Sequence, residues 1–397
     1  MKTNSKVQKL YKFRYSLIFL ILVSFFSLGI SVSQKATNNI SEEESQNNEK
    51  FEEVKTKESF CLGKVIKILT DIEEELPGGN KQRIQNLLLQ IVSGEDKGKK
   101  RHAENIIPDN PAFAIVGKIN KEYLINKVEN LQTGDEEYFV VDYYREPLIW
   151  ILCVLFIVSL LLVGGTKGIR AIISLIITIL LISFVLIPLV EKGVNPLLGA
   201  VLVSSLATLI TMILVAGLNK KSLASTLGTA IGVSISGVIA TIIIKIAPLS
   251  GLSSSEAMIL WGSQFTQTNF KGLLAAGMIV SCLGAVMDVA ISIASSIQEI
   301  KIANPTYSIK QLFNSGMNVG KDIMGTMTNT LVLAYTGMAL PLLILISHES
   351  NPSKFLNLEL VMSEITAAIA GSIGLIIAIP ATAFIMSYLV GKNSRSE

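Results

Sequence analysis

The sequence predicts a polytopic all-α membrane protein of about eight transmembrane helices, with a small extracytoplasmic β-rich domain that is OB-like. The chain of 397 residues is 50% hydrophobic and has a mean hydropathy of +0.53, which is unusual for a soluble protein. Charge is also unevenly placed. Residues 33–146 hold 16 of the 34 Lys and Arg residues and 22 of the 31 Asp and Glu residues. A polar module is therefore joined to a membrane module.

The membrane helices are predicted from long apolar runs. Because a bilayer core is about 30 Å thick, a spanning helix needs about 20 mostly apolar residues. Backbone polar groups find no water in lipid, so such segments must be helical. The predicted spans are residues 15–32, 147–163, 171–190, 196–217, 224–247, 272–296, 322–346 and 364–390.

The orientation is predicted from the charges of the short loops. Counting alternate sides of the membrane, one side carries 14 Lys and Arg residues and the other carries three, Lys192, Lys271 and Lys354. The positive-inside rule then places both termini in the cytoplasm and residues 33–146 outside. The high usage of Lys, Asn and Ile is typical of a low-GC bacterium, which indicates the bacterial cytoplasmic membrane.

Composition shifts predict the domain boundaries. The first segment is interpreted as an uncleaved anchor, and a secretory signal peptide is the alternative interpretation of its basic flank and apolar core. The predicted parts are residues 1–32 (cytoplasmic flank and first helix), 33–57 (disordered linker), 58–146 (β-rich outer domain), 147–390 (seven-helix membrane domain) and 391–397 (cytoplasmic tail).

The outer domain contains short β-rich runs separated by glycine turns, a pattern typical of a small barrel or sandwich. The predicted strands are Phe60–Leu69, Ile84–Val92, Ala112–Ile119 and Tyr138–Tyr144. The domain lacks a row of exposed aromatic residues, and the chain lacks a basic stripe with interleaved aromatics, so nucleic-acid binding is not expected. A structural or partner-docking role is favoured.

The reactive residue types exclude several kinds of site. Three cysteines and two histidines lie far apart in the sequence, so no disulfide framework or zinc site follows from them. The spans contain no zinc-protease, aspartyl or Ser/His pattern, so we expect neither an enzyme nor a cofactor.

The sixth predicted span carries a stripe of small and polar residues at spacings of three or four. Its members are Ser281, Gly284, Asp288, Ser292 and Ser295. Such a helix face, holding one acid, is costly in lipid, so it must pack on another helix or line a wet cavity. A purely structural, hydrogen-bonded Asp288 is the alternative interpretation.

The seventh predicted span carries a matching stripe of Asn318, Asp322, Thr326 and Asn329. If the two stripes face each other, their oxygens form a site suited to Na⁺, Mg²⁺ or a shuttled proton. The predicted ion- or substrate-binding residues are Asp288, Ser292, Ser295, Asn318, Asp322, Thr326 and Asn329. Asp322 has an alternative interpretation as an interfacial, solvated pair with Lys321.

These two stripes belong to longer motifs that resemble the YibE/F family of bacterial membrane proteins. The motifs are Leu273-Leu-Ala-Ala-Gly277, Gly284-Ala-Val-Met-Asp288-Val-Ala-Ile-Ser292, Ser315-Gly-Met-Asn318-Val-Gly320-Lys321-Asp322, Asn219-Lys220-Lys221 and Gly371-Ser-Ile-Gly374. The resemblance covers most of residues 146–390. It implies a multi-pass membrane protein, sometimes presumed to be a permease, and it implies no particular substrate.

The leading functional prediction is a secondary transporter or permease for a small solute or ion. An alternative is a membrane scaffold or assembly factor whose outer domain docks a protein partner, and the polar stripes then only pack helices. The absence of a convincing internal repeat counts against transport, and an intramembrane aspartyl enzyme is the least favoured class.

Overall fold

The computed structural model describes residues 56–75, 81–263, 268–348 and 352–392. The chain divides after Pro147 into two compact units. The predicted first span, most of the predicted linker and most of the predicted tail lie outside the described residues and stay predictions.

The first unit is a closed five-stranded barrel, which confirms the predicted β-rich domain. The strands are β1 Thr56–Glu75, β2 Lys81–Ile91, β3 Lys100–Pro108, β4 Glu122–Asn130 and β5 Glu136–Tyr143. They follow the order β1-β2-β3-β5-β4 around the barrel. β1 is 20 residues long and pairs antiparallel with both β2 and β4, whereas β3 and β5 are parallel. The long β1 therefore closes the barrel.

Three of the four predicted strands are confirmed as β1, β2 and β5, although β1 begins four residues before and ends six residues after the predicted Phe60–Leu69. The predicted strand at Ala112–Ile119 is wrong, because this segment is a loop. Barrel side chains bond its backbone instead of a neighbouring strand. The Gln85 side chain accepts a hydrogen bond from Gly117 N–H at 2.8 Å, and Asn105 donates to the carbonyl of Ile115 at 2.7 Å.

Two strands, β3 and β4, were missed by the sequence prediction. Their inward positions alternate with charged and polar residues, so neither contains a continuous β-rich apolar run. In β3 the buried residues are Ala103, Asn105 and Ile107, and in β4 they are Tyr123 and Ile125. Alternation of apolar and polar residues is typical of a half-buried strand, but in β3 and β4 the alternating run is short and contains many charged residues.

A buried ionic cluster ties the β2–β3 turn to the opposite side of the barrel. The Asp96 carboxylate, 9% exposed, contacts the ammonium groups of Lys99 and Lys127, each at 2.7 Å. Tyr138 O–H donates to Asp96 at 2.9 Å, and Glu136 contacts Lys127 at 2.6 Å. The hydrogen bonds from Lys127 and Lys99 hold the pKa of Asp96 well below its usual range.

We expect acid to destabilise the barrel through Asp96. Its pKa is lower in the folded state than the unfolded value of about 3.9. Its contribution to the free energy of unfolding is therefore complete above about pH 4 and is lost progressively as the pH falls below that value. Calorimetry of the full chain in detergent at pH 6, 4 and 3 measures this loss. An Asp96→Asn variant with the same acid sensitivity as the native chain would contradict the assignment.

The second unit is helical. Its elements are α1 Glu146–Leu181, a π-helical turn Ile182–Leu186, α2 Ile187–Glu191, α3 Pro196–Ala216, α4 Lys220–Ile246, α5 Ser255–Gly262, α6 Phe270–Ala303, α7 Ile309–Met338, α8 Leu340–Ser347, α9 Pro352–Leu356 and α10 Glu359–Gly391. In the described ranges, five helical runs are long and apolar enough to cross a membrane, or six if α7 and α8 form one bent span. The prediction of an all-α membrane protein is thereby supported, although this count is below eight.

The helical run Glu146–Glu191 contains two of the predicted spans, residues 147–163 and 171–190. Gly165 interrupts it with non-helical angles, φ 52° and ψ −127°. A Cβ atom added to Gly168 would lie 2.2 Å from the carbonyl oxygen of Leu160. Residues eight apart in a straight helix are separated by about 12 Å, so the chain folds back sharply at Gly165.

The helices around the candidate site form one bundle, in which α6 packs against α3, α4, α7 and α10. Three of them begin at an asparagine whose side chain accepts a backbone N–H of the first turn: Asn195, Asn219 and Asn269. α4 and α10 cross at Gly232 and Gly374, where the two backbones touch. Small residues permit this approach, as is usual for helices packed in lipid.

α7 ends in a bend that opens the bundle. The axes of α7 and α8 differ by 68° at Ala339, and Pro341 lies in the first turn of α8. Proline at this position suits the start of a new helix. The N-terminal parts of α6 and α10 therefore lose α7 as a neighbour beyond Met338.

Candidate functional site

The stripe predicted on α6 faces away from the helix's packed side. Cys282, Val286, Val289 and Ile293 of α6 are completely buried, whereas Ser281, Gly284 and Asp288 are exposed. The remaining members, Ser292 and Ser295, are half-buried. The Ser292 hydroxyl donates to the backbone carbonyl of Asp288 at 2.8 Å, so its hydrogen bond is made within α6. No described hydrogen bond or ion pair neutralises the Asp288 carboxylate.

The stripe predicted on α7 also faces away from its packed side. Gly316 lies against Ile297, and Gly320 lies against Ile379 and Ile293, so these glycines mark the buried face. The stripe residues Asn318, Asp322, Thr326 and Asn329 are all exposed. Thr326 donates to the carbonyl of Ile323 at 2.9 Å.

In the structure, Asp288 and Asp322 both lie on exposed faces of their helices. α6 and α7 meet where Ser281 and Tyr335 share a hydrogen bond. Asp322 lies 200° around the helix from the buried Gly320, at about 100° per residue, which turns it away from the bundle. A site shared by both acids stays a prediction.

Cavities lie along the exposed face of α6. Gly277 lines two of them, with volumes of about 500 and 410 Å³, and Ser281 lines the second. Gly284 lines a third, of about 240 Å³, with Ser174, Thr178, Thr208 and Thr211 from α1 and α3. No side chain lies within 4 Å of a Cβ built at Gly277 or Gly284. Gly277 and Gly284 therefore leave space beside α6, whereas Asp288 itself lines none of these three cavities.

A second acid near this face was missed by the sequence analysis. Glu364 on α10 is half-buried and lines the cavity of about 410 Å³ together with Gly277, Ser281 and Tyr335. Gly277 precedes Asp288 by 11 residues in α6, which is about 16 Å along the axis at about 1.5 Å per residue. The available signal was a glutamate at the first position of the last predicted span, which resembles an interfacial flank.

Sequence comparison agrees with the motifs. The family model described as YibE/F-like protein matches residues 152–392, more than half of the chain. The chain belongs to the YibE/F-like family. No curated protein and no solved structure matches it. In this YibE/F-like protein, the matched region includes Asp288, Asp322 and Glu364, and it excludes the barrel.

The site of this YibE/F-like protein offers few ligands for a tightly held metal. In the described parts of the chain, no group of three or more His, Cys, Asp or Glu residues is close enough to bind one ion. The three cysteines are free thiols, and Cys282 is buried in the bundle. The chemistry that the α6 face can supply is a carboxylate in open space, which suits a proton or a weakly held cation.

Proposed function

We propose that this YibE/F-like protein is a secondary transporter or permease for a small solute or ion, with an ion- or proton-binding site at Asp288. One observation carries the proposal: Asp288 lies on an apolar helix of spanning length, without a described partner, one turn from Gly284, which lines a cavity of about 240 Å³. A carboxylate at such a position is costly unless a proton or cation neutralises it. Reversible neutralisation is what a coupling site requires.

The topology belongs to the same proposal. Eight spans result if residues 15–32 span the membrane, if the run Glu146–Glu191 crosses twice and if α7 with α8 forms one broken span. Both termini are then cytoplasmic, and the barrel faces outward from a bacterial cytoplasmic membrane. The barrel is OB-like in this proposal, which its five strands and closed order support.

The proposal predicts an ion response that depends on Asp288. Melting temperatures of the purified full chain are measured in Na⁺, K⁺, Mg²⁺, Ca²⁺ and Mn²⁺, and from pH 5 to 9. A ligand that binds only the folded state at 100 times its Kd stabilises that state by about 2.7 kcal/mol. We expect one ion or the proton to give a saturable shift, and Asp288→Asn to weaken its half-saturation at least tenfold.

Asp322→Asn is the matched control, because Asp322 has the same chemistry on the outward face of the neighbouring helix. Retained binding in this variant, with loss in Asp288→Asn, supports a site at Asp288 alone. Loss in both variants supports the shared site of the two stripes. A flat response of the native chain to every ion and to pH would refute the ion-coupled transporter.

The outward stripe of α7 favours a second candidate, a scaffold or assembly factor. Asn318, Asp322, Thr326 and Asn329 are exposed opposite the face with which α7 packs on its own chain. Where these groups lie in lipid, another helix must supply their hydrogen bonds. In that case Asp288→Asn changes stability by a constant offset at every ion concentration, and the barrel or α7 retains a protein partner during purification.

A further inference from the structure

The bend after α7 leaves a cavity in the outer half of the bundle. α6 and α10 continue outward beyond the point where α7 turns away, and α5 lies across the gap. This open cavity of about 410 Å³ is lined by Gly251, Ser254 and residues of α5, α6, α7 and α10. This volume lies within the range of about 300–1,000 Å³ that is usual for small-molecule sites.

The polar groups of this cavity are acidic or neutral. Glu364 enters from α10, and no described residue gives its carboxylate a hydrogen bond or an ion pair. Glu256 lies on α5 at the rim and is exposed. The Ser281 and Tyr335 hydroxyls bond to each other across the floor. Among the described residues, no Lys, Arg or His lines this space, so its net charge is negative when the carboxylates are ionised.

Most of the remaining lining is apolar, with Leu260, Leu273, Leu274, Met278 and Met338 beside the hydroxyls of Ser254 and Ser363. In the described parts of the chain, only two carboxylates line the cavity, and no group of three or more His, Cys, Asp or Glu residues could hold a metal ion. A metal ion such as Ca²⁺ prefers several carboxylate oxygens. An organic cation instead needs one counter-charge and apolar contacts, to which an aromatic ring such as that of Tyr335 adds a cation–π attraction.

From this lining we infer that the cavity binds a small organic monocation, an alkylammonium ion, with Glu364 as its counter-charge and Tyr335 beside it. The inference goes beyond the proposed function, since binding here requires nothing of Asp288. Glu364 lies on α10, and the nearest residue of α6 that lines the cavity, Ser281, precedes Asp288 by seven residues, about 10 Å along the axis at about 1.5 Å per residue.

The test uses the full chain in detergent and tetraethylammonium chloride as the probe, with NaCl at equal ionic strength as the reference. We expect a saturable rise in melting temperature with tetraethylammonium alone. Glu364→Gln is expected to weaken half-saturation at least tenfold. Two control variants should retain the tetraethylammonium response of the native chain. They are Asp288→Asn and Glu299→Gln, which replaces an exposed glutamate on α6 outside the cavity.

A second variant keeps the test decisive if Glu364→Gln does not fold. Met338 is 78% exposed at the cavity edge, so tryptophan there obstructs the cavity without disturbing the core. Met338→Trp should weaken binding at least tenfold while Glu364 stays in place. The inference is overturned if NaCl raises the melting temperature as much as tetraethylammonium does. It is also overturned if tetraethylammonium still binds to whichever of these two variants folds. Neither result depends on the ion response of Asp288.

Discussion

Gly232→Ala is expected to destabilise the membrane unit by about 3 kcal/mol, the upper part of the range for overpacked cores. A Cβ at this position would lie 2.6 Å from the carbonyl oxygen of Gly374 and 2.9 Å from the Cβ of Ala378. Since the first of these contacts is backbone, α4 and α10 must move apart to admit one methyl group. Unfolding of the full chain by denaturing detergent, followed by loss of helical circular dichroism, measures the effect.

The reciprocal substitution Gly374→Ala should behave alike, because its Cβ would lie 2.7 Å from the carbonyl oxygen of Gly232. Gly337→Ala is the matched control: this glycine is also helical, and nothing lies within 4 Å of an added Cβ. It should be neutral or stabilising by up to about 1 kcal/mol, from the higher helix propensity of alanine. Equal losses in all three variants would show that the α4–α10 contact is not responsible.

Asp96→Ala is expected to destabilise the barrel by about 3 kcal/mol, because Lys127 and Tyr138 each lose a hydrogen bond to a charged group, worth about 1.5–3 kcal/mol. Lys127 is only 12% exposed and would retain Glu136 as its counter-ion. Tyr138 would lose one of its two acceptors. Hydrogen exchange of barrel peptides in the full chain, followed by mass spectrometry, measures the loss.

Asp71→Ala provides the comparison, since Asp71 also pairs with a cation through two short contacts, both with Arg83. That pair is on the surface, with side chains 39% and 30% exposed, and exposed pairs contribute little to stability. Asp71 also accepts a hydrogen bond from the buried Gln85 side chain at 2.8 Å, so we expect a loss of barrel protection that is smaller than that of Asp96→Ala. A loss as large as that of Asp96→Ala would mean that the surface pair, too, holds the barrel together.

The candidate site could be predicted only in part. Spacings of three and four residues identified the stripes on α6 and α7, because helical periodicity fixes which residues share a face. Periodicity does not fix which way that face points. The packing of Gly316 and Gly320 on Ile297 and Ile379 turns the α7 stripe outward. Two stripes of similar composition consequently do not imply one shared site.

Glu364 is a residue that the sequence did not mark as part of a site. Its position at the edge of an apolar run is typical of an interfacial residue, and nothing nearby in the sequence distinguishes it. It gains significance only because α7 bends at Ala339 and leaves a cavity beside α10. Pro341 could indicate the bend, but the neighbours that lose contact with α7 are remote in sequence.

The sequence by itself determined that the chain contains long apolar helices and three strands of the barrel and belongs to the YibE/F-like family, because apolar length, short β-rich runs and motifs are local properties. Tertiary structure alone decided that the loop at Ala112–Ile119 bonds to barrel side chains, that β3 and β4 complete the barrel, and that Asp288 and Asp322 lie on exposed faces of their helices. Each of these depends on which distant residues meet. Periodicity constrains a helix's faces, and only its neighbours determine what each face contacts.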